Sequence, residues 1–303
     1  MNNIDLSVTI AGVVLNNPIT TASGTFSAQD SGAFYDLNEL GAMITKGVAS
    51  SPWEGNPTPR IAETYGGMLN AVGLQNPGID YFIAKELPYL RQFDTKIIVN
   101  VAGRSIEEYC EVAEKLNETE VDMLEINISC PNVKKGGIGF GTQGEMAAKV
   151  TQEVRKVTQK PIIIKLTPNV TDITEIAKAV EAEGADAVSL INTLLGMKID
   201  VHKRKPVLAN KMGGFSGPAI KPVAVRMVYQ VRKAVRIPII GLGGIMTGED
   251  VVEFIMAGAD AVSVGTAAFA NPTAPVEIKK ELLAYMEKYN FKTLREIREA
   301  FID

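Results

Sequence analysis

Eight short runs of β-branched and aliphatic residues recur along this 303-residue chain, at 19–23, 43–48, 96–101, 123–128, 161–166, 187–192, 238–243 and 261–265. Most are followed by a loop holding Gly, Asn or Pro and then by a stretch with helical spacing, as at 105–116, 145–157, 172–183, 221–235 and 249–257. A run that is apolar throughout, rather than alternating, reads as a strand covered on both faces, and that is the condition of a parallel strand packed under helices. About eight such units predict the α/β class and a (β/α)8 TIM barrel, whose chemistry gathers at the C-terminal ends of the strands. Helix ends support the register. Ser105 precedes Glu108 by three residues, Thr171 stands just before Asp172, and Gly184 and Gly258 each close a helix and are followed by Ala-Asp-Ala. The segment 6–15 (LSVTIAGVVL) alternates around Ala11-Gly12 and predicts an N-terminal β-hairpin across the lower end of the barrel. Long insertions are expected in the βα loops after strands 2 and 6. No linker or low-complexity tract divides the chain, so one domain over 1–303 is expected.

Composition narrows the function. Hydrophobic residues make up 46% and charged residues 22%, a globular balance with ample core, and the net charge of −4 argues against a nucleic-acid partner. No apolar run approaches the roughly 20 residues of a membrane span. The start, Met1-Asn2-Asn3-Ile4-Asp5, has neither the basic nor the apolar region of a signal peptide, so a cytoplasmic protein is expected. Two cysteines, Cys110 and Cys130, suggest no disulfide framework and cannot ligate an iron–sulfur cluster or a structural zinc; no metal site is expected.

Five polar residues, Lys46, Asn100, Asn127, Lys165 and Asn192, interrupt otherwise apolar runs near their C-terminal ends. Burying such a group without a partner costs a few kcal/mol. Five at equivalent depth predict a polar cluster around a ligand; the blander alternative is five separately satisfied core polar groups. Gly241-Leu242-Gly243-Gly244 and Gly265-Thr266 end the last two strands, where many barrels bind phosphate through backbone N–H groups. The third glycine of a dinucleotide fingerprint is missing. Phosphate-binding glycines with lysines and amides at the barrel mouth fit flavin mononucleotide, with Lys165 near the N1/O2 edge of the ring. A Schiff-base lysine, as in aldolases, is the other chemical reading of Lys165, and a structural salt bridge the plainest. The run Asn127-Ile128-Ser129-Cys130-Pro131-Asn132 places a thiol after a buried strand. With His202 the sole histidine, Cys130 is the candidate base for pulling a proton from carbon. Cys110 falls inside a helical pattern and reads as packing. The glycine-rich 136–141 reads as a lid or as a plain connection, and the basic run His202-Lys203-Arg204-Lys205 as a solvated loop.

Together these residues resemble the dihydroorotate dehydrogenases, and specifically the class 1B catalytic subunit. The resemblance runs through nearly the whole chain: Ala22-Ser23-Gly24-Thr25-Phe26, Thr45-Lys46-Gly47, Gly55-Asn56-Pro57-Thr58-Pro59-Arg60, Asn70-Ala71-Val72-Gly73-Leu74-Gln75-Asn76-Pro77-Gly78, the Cys130 run, Ile191-Asn192-Thr193, and Gly213-Gly214-Phe215-Ser216-Gly217-Pro218. The Gly-x-Gly-Gly turn is common to many flavin barrels; the Cys130 run joined to Asn-Ala-Val-Gly-Leu is highly specific. The resemblance implies one FMN per chain, held by Ser23, Lys46, Gly47, Asn100, Asn127, Lys165, Ile191, Gly217, Gly243, Gly244, Gly265 and Thr266. It implies dihydroorotate or orotate held by Lys46, Asn70, Ala71, Val72, Gly73, Leu74, Asn127, Asn192 and Thr193. Cys130 would take a proton from C5 while C6 passes hydride to the flavin.

Class 1B enzymes are associated with an electron-transfer subunit bearing FAD and a 2Fe–2S cluster that passes electrons to NAD⁺. The implied assembly is a heterotetramer built on a homodimer of this chain. Class 2 relatives use serine and carry a membrane-associating N-terminal extension, which this sequence does not display. Three rivals remain within the sequence: a fumarate-dependent class 1A form, a dihydropyrimidine dehydrogenase-like barrel, and a flavin-free lyase or aldolase. The continuation Val133-Lys134-Lys135-Gly136-Gly137 looks more like class 1B.

Overall fold

The computed structural model describes residues 4–129 and 139–302. Eight parallel strands close a barrel in chain order: β1 (Ile19–Thr21), β2 (Ala42–Ile44), β3 (Lys96–Val101), β4 (Met123–Asn127), β5 (Ile162–Lys165), β6 (Ala187–Leu190), β7 (Ile239–Leu242) and β8 (Ala261–Val264). The expected (β/α)8 architecture is therefore present. Helices Ile106–Asn117, Gly144–Val157, Ile173–Ala182, Lys221–Ala234, Gly248–Ala257 and Ala274–Tyr289 surround it. Their apolar stripes and the outward strand faces form one continuous shell that includes Leu124, Ile126, Ile162, Ile164 and Val188.

Helix starts follow local chemistry. The Ser105 side chain accepts the Glu108 N–H, as expected. At the next such site Asp172, not Thr171, is the cap: its carboxylate reaches the Thr174 N–H two residues on.

The Ala-Asp-Ala repeats have a structural meaning that the sequence only marks. Asp186, entering β6, accepts the Ile162 N–H at the start of β5 at 2.8 Å; Asp260, entering β8, does the same for Ile239 of β7 at 2.8 Å. Asp122 repeats the clasp between β4 and β3, taking the Ile97 N–H at 2.8 Å. Arg155 and Arg232, each from the helix before the clasped strand, bind Asp186 at 2.7 Å and Asp260 at 3.4 Å and also hold the carbonyls of the incoming loop. The first strand pair uses Gly41 instead, because a Cβ there would lie 1.9 Å from the Asn17 carbonyl oxygen. These clasps lie at the N-terminal end of the barrel, the end that serves stability in this architecture.

That end is closed by the expected hairpin, Val8–Ile10 against Val13–Leu15. Its two turn residues, Ala11 and Gly12, both have positive φ, the mirror-image turn whose twist suits a two-residue hairpin. Ile10 and Leu15 are fully buried and complete an apolar plug with Ala42, Ile44, Ile98, Met123, Ile163, Ala187, Ile240 and Ala261. Leu15→Ala opens a cavity in this plug, and the expected loss is about 2–5 kcal/mol. Urea unfolding followed by circular dichroism checks it, and a loss below about 1 kcal/mol would mean that the hairpin is not integral to the core.

The two long insertions meet over the opposite end. Ile61–Thr64 and Gly67–Asn70, from the loop after β2, join Leu194–Met197 and Met212–Ser216, from the loop after β6, in one four-stranded antiparallel sheet. Close strand approach there requires glycine: a Cβ on Gly67 would meet the Ser216 carbonyl oxygen at 2.0 Å, and one on Gly214 the Thr193 hydroxyl at 2.1 Å. Among the described residues no helix is long and apolar enough to cross a membrane.

Candidate active site

Inside the barrel the inward-facing residues change character along four neighbouring strands. Ile98 gives way to Asn100 on β3, Met123 to Glu125 and Asn127 on β4, Ile163 to Lys165 on β5, and Ala187 to Ser189 on β6. Each step is two residues, the period that keeps side chains on one face. Parallel register then sets Asn100 beside Glu125, and Lys165 beside both Asn127 and Ser189. The polar mouth is thus built into the strand pairing.

Glu125 is the hub. It is 0% exposed; its Oε2 accepts from Asn100 Nδ2 at 2.5 Å and faces Lys165 Nζ at 3.4 Å, while its Oε1 accepts from the Ser189 hydroxyl at 2.7 Å. Lys165, 4% exposed, also donates to the Ser23 hydroxyl at 3.1 Å. Five side chains from five strands or strand ends therefore form one buried network. The Asn100 Oδ1 atom is buried with no hydrogen-bond partner among the described residues. A Cβ on Gly47 would sit 3.3 Å from that oxygen, so glycine there keeps open the space it faces.

A second set of contacts carries the mouth toward the insertion sheet. Asn192 Nδ2 donates to Asn127 Oδ1 at 3.3 Å, and the Thr193 N–H donates to Asn192 Oδ1 at 2.7 Å. Thr193 lies against Gly214, whose carbonyl oxygen accepts from Asn70 Nδ2 at 3.4 Å. The loop 71–74 turns sharply through Gly73 and Leu74, both at positive φ. It is braced by Asn56, which bonds the Ala71 and Val72 carbonyls at 3.0 Å each, and Arg60 Nη1 reaches Gln75 at 2.7 Å. Ala71 is buried; Val72, Gly73 and Leu74 are partly so.

The glycine turns form the third part. Gly243 and Gly244 have φ of 124° and 84°, and Gly217 of 107°, values that L side chains rarely adopt. A Cβ on Gly244 would meet the Gly217 carbonyl oxygen at 2.9 Å, and one on Gly243 would meet Ile191 at 3.2 Å. Gly265 packs on Ala22, and the Thr266 hydroxyl donates to Ser216 Oγ at 2.9 Å. The turns at 243–244 and 265–266 lie after β7 and β8, with Gly217 packed beside the first, and the partly buried glycines carry no bulky side chain, as a phosphate cradle requires.

Two residues depart from the expected pattern. Strand β2 ends at Ile44, so Lys46 lies two residues beyond it and is exposed; the desolvation argument does not apply to it. Its ammonium opposes the effect of burial, which pushes the Glu86 carboxyl above its ordinary range. Asn192 likewise follows the end of β6 at Leu190 and is half-buried. Cys130 and the glycines at 136 and 137 lie outside the described residues. Their flanks are anchored at the mouth. The Ser129 N–H donates to Asn127 Oδ1 at 3.3 Å and its hydroxyl to the Lys165 carbonyl at 3.2 Å. The Tyr109 hydroxyl donates to the Asn127 carbonyl at 2.7 Å, while its ring meets Phe140 edge-on at 5.9 Å.

Cys110 is partly buried against the helical shell, where burial, and then the carboxylates of Glu153, Glu114 and Glu107, push its thiol pKa up. The run 202–205 is exposed, with Asp200 accepting the His202 and Lys203 N–H groups. Glu125 and Ser189 escaped the sequence reading. The available signal was a carboxylate inside the buried run 123–128, where an unpaired charge could not stand.

The residues fit a flavin mononucleotide. The network presents an unused acceptor and a buried cation to a polar ring edge, and the glycine turns offer backbone to a phosphate. The family model described as "Dihydroorotate dehydrogenase" matches residues 5–286. The chain is 65% identical over 299 residues to the "Dihydroorotate dehydrogenase B (NAD(+)), catalytic subunit" of Alkaliphilus metalliredigens, covering 98% of this chain and 99% of the relative. The proteins of the same designation from Alkaliphilus oremlandii and Geotalea uraniireducens are 61% and 55% identical, covering 98% and 100% of this chain and 99% and 100% of theirs.

Proposed function

Since the chain belongs to the dihydroorotate dehydrogenase family, we propose that it oxidises dihydroorotate to orotate in de novo pyrimidine biosynthesis, as one cytoplasmic FMN-binding domain over 1–303. The observation that carries this is the convergence of Asn70, Asn127, Asn192 and Thr193 on one mouth with Lys165 and Asn100. Ser23, Lys46, Gly47, Asn100, Asn127, Lys165 and Ile191 would hold the ring and ribityl chain, and Gly217, Gly243, Gly244, Gly265 and Thr266 the phosphate. When bound, the flavin accepts a hydride equivalent from the substrate.

The chain's own groups do the rest. The amides of Asn70, Asn127 and Asn192 pair with the imide and carboxylate edges of the pyrimidine acid, and the exposed Lys46 neutralises the carboxylate. The 71–74 loop encloses the substrate, and Cys130 takes the C5 proton as thiolate. The half-buried amides read as substrate ligands better than as core: burial would demand full pairing, whereas Asn192 and Asn70 keep free valences among the described residues.

The relatives' designation as a catalytic subunit supports a second chain, to which we assign FAD and a 2Fe–2S cluster. Four chains, two of each kind, would then form around a homodimer of this one. The isolated protein is expected to reduce an artificial dye with dihydroorotate but to form no NADH from NAD⁺. NADH formation at the dye-reduction rate by the homogeneous chain would remove the need for a partner.

A further inference from the structure

We infer that Glu125 is a positioning residue: its buried carboxylate turns the Asn100 amide and the Lys165 ammonium so that their unused valences face the flavin. The inference rests on the FMN reading above and goes beyond it to a residue that touches neither flavin nor substrate.

Hydrogen-bond valence fixes the orientation of these groups. An ionised carboxylate only accepts hydrogen bonds, and an amide has one donating and one accepting end. Glu125 is surrounded by donors: the Ser189 hydroxyl at Oε1, and Asn100 Nδ2 with Lys165 Nζ at Oε2. Asn100 must therefore turn its nitrogen to Glu125, and its oxygen must face the other way. That oxygen is the buried atom left without a partner, in the space that Gly47 keeps free of a side chain. A buried acceptor in this state calls for a donor from a bound group. The oxidised isoalloxazine ring has one N–H, on its pyrimidine edge, and acceptors elsewhere. Lys165 completes the complement: of its three donors, one faces Glu125 and one meets Ser23, leaving the third for a ring acceptor.

A carboxylate at this position thus selects, through Asn100, an acceptor for the N–H edge. Through Lys165 it places a cation while offsetting part of its charge. A merely structural ion pair would stabilise the barrel without affecting either property of the flavin.

The test compares wild type, Glu125→Gln, Asn100→Ala and the double variant, reading FMN affinity by fluorescence titration and the midpoint potential of bound FMN. Glu125→Gln is expected to weaken FMN on the order of tenfold and to raise the potential, because a negative charge that opposed electron uptake is gone. In the Asn100→Ala background the same change is expected to weaken FMN by less, since the oriented acceptor no longer exists. Wild-type affinity and potential in Glu125→Gln, or full additivity in the double variant, would overturn the inference alone. A wild-type chain that takes up no FMN would overturn the FMN reading and this one with it. Should Glu125→Gln not fold, Glu125→Asp decides: a carboxylate drawn back from Asn100 and Lys165 that weakens FMN on the order of tenfold supports the inference, and unchanged affinity and potential overturn it.

Discussion

Cys130→Ser is expected to slow dihydroorotate oxidation at neutral pH by on the order of 10²- to 10⁴-fold while the protein remains yellow. A base must shed its own proton before it can take one from carbon, and an alcohol sheds it far less readily than a thiol, whose ordinary pKa is about 8.5. Wild-type flavin reduction should rise with pH and level off near the thiol pKa, whereas the variant's should still be rising there. Anaerobic stopped-flow reduction between neutral and alkaline pH measures both. Equal rates in the two proteins at neutral pH would transfer the role of base to another group. His202, the chain's one histidine, sits in an exposed turn of the insertion after β6.

Lys165→Met is expected to destabilise the protein by about 3–5 kcal/mol, the cost of leaving one member of a buried ion pair without the other. Glu125 is fully enclosed, and its remaining donors, Asn100 and Ser189, are neutral. Lys165→Met/Glu125→Gln should recover much of that loss, because no uncompensated charge then remains. Urea unfolding of both variants beside wild type reads the difference. A single variant within about 1 kcal/mol of wild type would show that Glu125 does not depend on the Lys165 ammonium.

The barrel was legible because its signal is local. Runs such as 161–166 and 187–192 are too apolar to be anything but doubly covered strands, and each is separated from the next by one helical pattern. The hairpin was equally plain, since Ala11-Gly12 is flanked by alternating residues. The insertion sheet was not, because Gly67–Asn70 pairs with Met212–Ser216 across most of the barrel, and nothing near either segment specifies the other. The same limit hid the role of Asp186 and Asp260. Their repetition was visible, but a clasp on the neighbouring strand's first N–H depends on barrel closure.

At the site, strand ends made the difference. Asn100, Asn127 and Lys165 stand inside strands as read, while Lys46 and Asn192 fall just beyond them, and two residues change a buried cation into an exposed one. Polar residues were recognised where they broke an apolar run. Glu125 broke one too, but its purpose appears only when Asn100, Lys165 and Ser189 arrive from three other strands.

This mouth is expected to hold FMN and to pass it electrons from dihydroorotate. The anaerobic visible spectrum of the purified protein, recorded before and after adding dihydroorotate, tests it most directly. A yellow protein whose flavin band bleaches on addition is the expected result. A protein that stays colourless after incubation with FMN, or a flavin band that dihydroorotate leaves unchanged, would contradict it.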